Sequence, residues 1–411
     1  MGIEAITHTD DGELVFPSSR EDWRDWVSAT QTRNFLLQDL LSDWLNLYGE
    51  AHGFQKDPDV TGYDIRTDFT QFIFRKGREF EEAVLGHLKT LISVVTIGQD
   101  RGDVRRQKKA EETFAAMERG ELVIYQAVLW NPDNRTYGIA DLLIRSDELA
   151  RLFPDELTPE EAAQPARDLK GSSWHYRIID IKFTTLHLAA GGEPNNTGSA
   201  PAYKAQLFIY SRALGRIQGY QAPVSYLIGR GWEQTAKGVT SRGNSCMGRL
   251  APVNQNSTLS KGTLLAGAVN EAIKWVRRIR REGATWSVLP KPTVPELRPN
   301  MKNTQDSPWS SAKKQIAREL EDLTLLWYVG VEKRRDANQL GIYSWRDPKC
   351  NAELLGVKGK KTQPVLQALL NINQSNRGPP IRPSRVKSAE TYWREVPGLE
   401  FYVDFETVSD L

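Results

Sequence analysis

The chain has 411 residues, more than one hydrophobic core usually organises, so two or three domains are expected. Lys and Arg (54) nearly balance Asp and Glu (52), so only local basic patches could hold a nucleic acid. Cys246 and Cys350 lie far apart, which argues against a zinc ribbon, an iron–sulfur cluster and a disulfide framework and favours a reducing compartment. Without a signal-like or membrane-spanning apolar run, we expect a cytoplasmic protein with no membrane partner.

Hydrophobic spacing predicts the order of the elements along the chain. The predicted helices of the first part cover 30–49, 68–91, 203–214 and 264–281. The predicted strands cover 122–130, 137–145, 176–183 and 224–228. From the second helix to the fourth strand, the core order is therefore α, β, β, β, α, β.

The third predicted strand carries an Asp-x-Lys triplet, Asp180-Ile181-Lys182. Alternation in a strand places Asp180 and Lys182 on one face. A carboxylate there can hold a divalent cation, and an ammonium can stand beside the attacking water or the phosphate. A lone triplet of this kind is more often a solvated surface pair, but the two others, at 168–170 and 347–349, lack a preceding apolar strand.

Two further acidic positions accompany the triplet. Asp141 interrupts an otherwise apolar strand, where an unpaired carboxylate would be costly to bury, so a metal or a hydrogen-bond network is its expected partner. Glu81, with Glu82 as the alternative, lies on the acidic helix before the strands and is the candidate third ligand. A structural ion pair for Asp141 and a solvated helix face for Glu81 are the alternatives.

The helix after the triplet adds Gln206 and Tyr210, which share one face because they are four residues apart. A Gln and a Tyr in that position could contact metal-bound waters and the nucleic-acid strand. In isolation, the pair would be ordinary helix residues.

Together, Glu81, Asp141, Asp180-x-Lys182 and Gln206-x-x-x-Tyr210, in the order αβββαβ, resemble the RecB-like branch of the PD-(D/E)XK nucleases. The nearest resemblance is to predicted RecB family nucleases that carry a C-terminal RNase H-like DEDD exonuclease domain. It implies a restriction-endonuclease-like α/β core with extra helices, and a hydrolase that cleaves phosphodiester bonds with Mg²⁺ or Mn²⁺. Glu81, Asp141 and Asp180 would be metal ligands, and all six residues would be catalytic; many such nucleases have a His at the position of Glu81.

The resemblance also implies a domain order and partners. Residues 1–289 would be the nuclease domain, 290–310 a Pro-rich linker, 311–385 a small all-α module, and 395–411 the first strand of a truncated RNase H-like domain. Asp404 and Glu406 share one face of that last strand. The expected ligand is nucleic acid, DNA rather than RNA, with a helicase or another repair or recombination protein as a candidate partner.

Within the helical module, 321–342 is predicted to form a helix, a Gly-containing turn and a second helix. It resembles a helix-hairpin-helix element, in which backbone amides and basic side chains grip phosphates without reading sequence. Lys333, Arg334 and Arg335 would be the phosphate contacts. The alternative is a helical spacer with a solvated charge run. For the whole chain, the alternative function is a catalytically inactive nuclease fold that binds nucleic acid or acts as an adaptor.

Overall fold

The computed structural model describes residues 4–58, 69–100, 102–259, 262–374 and 398–399. The chain divides into two compact units, Met1–Trp286 and Ser287–Leu411. The division lies close to residue 289, where the first domain was predicted to end. Asp404 and Glu406, with most of the predicted last strand, lie outside the described residues.

The first unit is a mixed α/β fold built around one sheet. Its strands are β1 (Val27–Ser28), β2 (Val94–Thr96), β3 (Val123–Asn131), β4 (Thr136–Arg145), β5 (Tyr176–Leu188), β6 (Val224–Ala236), β7 (Val239–Gly243) and β8 (Ala251–Asn254). Its α-helices are α1 (Glu4–Thr7), α2 (Arg33–Leu36), α3 (Leu40–Trp44), α4 (Phe69–Leu91), α5 (Gln107–Glu118), α6 (Ser146–Leu152), α7 (Pro159–Ala162), α8 (Ala200–Gln218) and α9 (Leu265–Glu282). The four predicted strands are confirmed as β3, β4, β5 and β6, and the last two continue beyond their predicted ends.

The sheet is mixed, with the strand order β2-β3-β4-β5-β6-β7. β1 also pairs with β4, and β8 pairs with β6. β4 runs antiparallel to both β3 and β5, whereas β6 runs parallel to β5. A parallel pair needs a crossover connection, which here contains α8. α4 buries Val84 and Leu88, one helical turn apart, in an apolar cluster with Leu142 and Ile179 of the sheet.

A β-bulge interrupts β5 directly after Lys182. Lys182 pairs with Gly229 and Thr185 with Gly231, so β5 has one residue more than β6 between the two pairs. A side chain at 229 would not fit, because its Cβ would lie 2.6 Å from Leu186 Cγ and 2.7 Å from the Thr184 carbonyl oxygen. Bulges bend a strand and re-aim its side chains, and this one lies beside the Asp-x-Lys triplet.

The predicted continuous helix over 30–49 is wrong, because α2 and α3 are separate short helices. Gln38, between them, has φ +56°, a left-handed conformation that ends a right-handed helix. Hydrophobic periodicity also predicted neither β2 nor α5. β2 has only three residues, and α5 is rich in Lys and Glu, so neither presents a long apolar pattern.

The second unit contains α10 (Ser310–Glu319), α11 (Val331–Gln339) and α12 (Thr362–Gln374). The first predicted helix of the 321–342 element is absent from this part of the described chain, where a 3-10 turn covers Leu323–Leu325. Glu321 (φ +50°) and Tyr328 (φ +62°) are both left-handed, so a helix cannot run through them. The second predicted helix is confirmed as α11.

A buried histidine lies at the start of β5. His175 Nε2 accepts a hydrogen bond from Arg177 Nε at 2.7 Å, so its Nδ1 carries the proton and donates to the Gln164 carbonyl at 2.9 Å. Burial lowers the pKa of His175 to about 4. The neutral ring is therefore the folded form at neutral pH.

This histidine should make the free energy of unfolding depend on pH. In the unfolded chain, His175 binds a proton below its ordinary pKa of about 6.5. The stabilisation of the folded state by the neutral ring is therefore complete above that pH and is lost as the pH falls towards 4. We expect a loss of about 2.5 kcal/mol from this group between pH 7.5 and pH 4.5. Denaturant unfolding of the wild type and His175→Gln at both pH values measures it. An equal pH dependence in the two proteins would contradict the assignment.

Candidate metal centre

The two central strands bring Asp141 and Asp180 to the same place. The β4–β5 ladder ends at Leu142 and Ile179, and Asp141 and Asp180 are the next residues on each strand. Asp141 Oδ2 accepts a hydrogen bond from the backbone N–H of Ile181 at 2.7 Å. The carboxylate of one strand is thereby held against the Asp-x-Lys triplet of the other.

Asp180 and Lys182 form a buried ion pair. Asp180 is fully buried, and its Oδ2 lies 2.5 Å from Lys182 Nζ, whose side chain is 18% exposed. Apart from this contact with Lys182, neither oxygen of Asp180 accepts a hydrogen bond from the described residues. Burial raises the pKa of Asp180 well above its usual range, with the Lys182 ammonium opposing this and the Asp141 carboxylate adding to it. The carboxylate therefore lies in a place where a positive charge stabilises it strongly.

Lys182 is held as an ammonium. Burial acts to lower the pKa of Lys182, but the charges of Asp180 and Asp141 outweigh burial and raise it. Its Nζ also lies 5.3 Å from the centre of the Tyr203 ring, and Arg33 lies over the same ring at 5.8 Å. Tyr203 is three residues before Gln206 on α8, and this spacing could have indicated it from the sequence.

Glu81 reaches the same group of residues from α4. Its Oε1 accepts hydrogen bonds from Tyr125 Oη and Gln126 Nε2, each at 2.7 Å. Gln126 Nε2 also lies 3.3 Å from Asp141 Oδ1 and donates to it. Burial and the nearby Asp141 raise the pKa of Glu81. Glu82, the alternative ligand, is exposed to solvent.

Gln206 and Tyr210 lie together on α8, as their spacing predicted. Gln206 Nε2 donates to Tyr210 Oη at 2.8 Å. Burial and the charge of Asp180 raise the pKa of Tyr210, so its hydroxyl keeps its proton. The ring lies against β4 at Gly138, where a Cβ would overlap it and would come 3.2 Å from Oη. Glycine at 138 therefore permits the close approach of the tyrosine.

Glu81, Asp141, Asp180 and Lys182 thus lie together on α4, β4 and β5, and Gln126 of β3 links Glu81 to Asp141. Gln206 and Tyr210 form a pair on α8, where Tyr210 is close enough to feel the charges of Asp180 and Asp141. Tyr125 and Gln126 of β3 are site residues that the sequence did not indicate. In the described part of the chain, no three His, Cys, Asp or Glu side chains are arranged closely enough to hold a metal as they stand. The donor chemistry nevertheless fits Mg²⁺ or Mn²⁺, which prefer carboxylate oxygens. The fully buried carboxylate of Asp180, which lies beside Asp141 and is paired with the Lys182 ammonium, is the observation that fits a cation best.

The three basic residues predicted to contact phosphates in the second unit have different surroundings. Arg334 is buried, and its Nη1 lies 3.3 Å from Asp322 Oδ1 and donates to the Pro299 carbonyl. Lys333 Nζ donates to the Gly356 carbonyl at 2.7 Å, and Arg335 is exposed. The guanidinium of Arg334 is thus engaged inside the unit, whereas Arg335 is accessible from solvent.

No α-helix in the described ranges combines the length and the apolar character needed to cross a bilayer. Comparison of the chain with models of protein families finds no match, and neither does comparison with curated proteins or with solved structures.

Proposed function

We propose that the chain is a metal-dependent nuclease of the PD-(D/E)XK type, which hydrolyses phosphodiester bonds of nucleic acid and acts on DNA. The observation that carries the proposal is the fully buried Asp180, paired with Lys182 on one strand and placed beside Asp141 of the next. Burying a carboxylate beside a second carboxylate is costly even when an ammonium is paired with it, so the arrangement indicates a functional site.

The order of the elements supports the same proposal. In chain order, and with the intervening elements left aside, α4, β3, β4, β5, α8 and β6 give α, β, β, β, α, β, the order of the RecB-like core that the sequence resembles. The additions to that order are β2 and α5 between α4 and β3, and α6 and α7 between β4 and β5. Glu81, Asp141, the triplet and the Gln206–Tyr210 pair each occupy the element that the resemblance implies for it.

In the proposed reaction, Glu81, Asp141 and Asp180 would hold Mg²⁺ or Mn²⁺. When bound, the cation would neutralise charge on the scissile phosphate and lower the pKa of a water. Because Lys182 is kept protonated by its neighbours, it would orient the water or stabilise phosphate charge through its N–H groups rather than accept a proton. Tyr210 keeps its hydroxyl proton, so it and Gln206 would act as neutral hydrogen-bond donors towards the substrate.

A cleavage assay tests the proposal. Wild type and Asp180→Asn, each with Mg²⁺ or EDTA, are incubated with end-labelled linear and circular DNA and RNA. We expect cleavage of DNA by the wild type with Mg²⁺, none with EDTA, and a loss of at least about 10³-fold in Asp180→Asn, which keeps the shape of the side chain but removes its charge.

A matched control is Asp168→Asn, which alters the Asp-x-Lys triplet at 168–170 and should cleave like the wild type. Cleavage that persists in EDTA, or that is equal in the two Asn variants, would overturn the proposal. Nucleic-acid binding without any cleavage would instead favour the inactive nuclease fold, and the absence of both would favour an adaptor.

A further inference from the structure

We propose that Gln126 is a positioning residue: its neutral amide holds Glu81 and Asp141 together so that both can take the same cation. The inference rests on the proposed metal-dependent function and adds a residue that the sequence pattern did not indicate. The observation behind it is that one nitrogen, Gln126 Nε2, donates to Glu81 Oε1 at 2.7 Å and to Asp141 Oδ1 at 3.3 Å.

The backbone of Gln126 is unusual where its side chain and that of Tyr125 meet at one oxygen of Glu81. Successive side chains of a regular strand point to opposite faces, so Tyr125 and Gln126 should point apart. Gln126 instead has φ +54° in the middle of β3, and both side chains donate to the same oxygen of Glu81. The strand pairs with β4 in one register on both sides of this residue, at Tyr125 and at Ala127. The departure from regular strand geometry is therefore confined to Gln126 and changes the direction of its side chain.

The segment at Gly98, which lies beside Gln126, supports this conformation. The backbone N–H of Gly98 donates to the Gln126 carbonyl at 3.0 Å. A Cβ at Gly98 would lie 3.0 Å from that carbonyl oxygen and 3.3 Å from Gln126 Cβ, both tighter than ordinary contacts. A left-handed residue other than glycine is strained and persists only where its surroundings over-determine it, and such residues cluster at functional sites.

A neutral amide is chemically suited to hold two carboxylates close together. Glu81 and Asp141 repel each other as carboxylates, and each N–H of one Gln nitrogen can offset the charge of one of them. The amide carries no charge of its own, so it does not compete with a cation as a second lysine would. Glu81 Oε2 receives no hydrogen bond from the described residues, which leaves that oxygen available as a ligand while Oε1 is held.

The test compares Gln126→Gly with the wild type by Mn²⁺ titration calorimetry of the full chain and by denaturant unfolding in EDTA. Glycine tolerates the left-handed backbone but removes the amide. We expect the variant to remain folded in EDTA, because glycine relieves the left-handed strain while the hydrogen bonds of the amide are lost. We expect its Mn²⁺ affinity to be about 10- to 100-fold weaker, the usual effect of removing a group that orients a ligand. A purely structural role would move the unfolding curve and leave the affinity unchanged.

Gln126→Met is the second variant, because it keeps the side-chain length without the donors and should also weaken Mn²⁺ binding. Wild-type affinity in both variants would overturn the inference while leaving the proposed function intact. A wild type that neither binds Mn²⁺ nor cleaves DNA would show instead that the proposed function fails. Asp180→Asn supplies the reference for the loss of a direct ligand.

Discussion

Lys182→Met should reduce Mg²⁺-dependent cleavage by about 10²- to 10⁴-fold, the range for a group that acts on the proton or the charge of a reacting centre. The variant keeps most of the side-chain length but removes the ammonium that lies 2.5 Å from Asp180. Single-turnover cleavage rates at saturating enzyme measure the chemical step separately from binding. DNA affinity measured in Ca²⁺ or EDTA should stay within a few-fold of the wild type.

The same change should destabilise the metal-free protein, by about 3 kcal/mol, because it leaves the buried Asp180 without its cation. Lys313→Met is a matched control, since Lys313 is fully buried in the second unit and its Nζ also lies 2.5 Å from a carboxylate oxygen, that of Asp306. Both variants should lose stability in EDTA, but only Lys182→Met should lose the chemical step. A normal cleavage rate in Lys182→Met would exclude the lysine from the reaction.

Arg334→Ala should destabilise the second unit by about 3 kcal/mol, with little direct effect on DNA binding. Its guanidinium, with that of Arg298, surrounds Asp322, and both arginines are almost fully buried. Asp322 also accepts hydrogen bonds from the backbone N–H and the hydroxyl of Thr324. Removing Arg334 leaves the buried charge of Asp322 with Arg298 as its remaining arginine partner. This loss of a buried partner destabilises a protein more than the loss of a surface ion pair does.

The neighbouring Arg335→Ala provides the contrast, because Arg335 is exposed. It should leave stability unchanged within about 0.5 kcal/mol. If Arg335 contacts a phosphate, the variant should also lower the slope of log affinity against log salt by about one. Hydrogen exchange of amides between 298 and 340, measured on the full chain, reports local stability. Unchanged exchange with weakened DNA binding in Arg334→Ala would show that Arg334 turns outward to the nucleic acid.

Much of the central sheet could be predicted because its strands are long and rich in β-branched and aromatic residues. The same patterns gave Asp141, Asp180 and Lys182 their strand context, and spacing alone brought Gln206 and Tyr210 onto one helix face. Left-handed residues account for the largest errors. Gln38 breaks the predicted first helix, and Glu321 and Tyr328 prevent the helix expected before α11.

Gln126 could not be predicted as a site residue for the same reason. The β3–β4 register sets it across from Asp141, but strand alternation places it on the face opposite Tyr125, and its left-handed backbone accompanies the contact that both residues make with Glu81. The burial of Arg334 could not be predicted from the sequence either, because its partners Pro299 and Asp322 precede it by more than ten residues. A basic run in a helix reveals its charge from the sequence but not which of its members face inward.

The contact between Gly138 and Tyr210 has a consequence for biosynthesis. The two residues lie on β4 and α8, separated by all of β5 and by the long connections around it. A growing chain that has only β3 and β4 outside the ribosome therefore has Asp141 but lacks the triplet and the tyrosine. Four of the six residues that we propose to act on DNA precede α8 in the chain, so the full set is assembled only when α8 has been synthesised and has folded against the sheet.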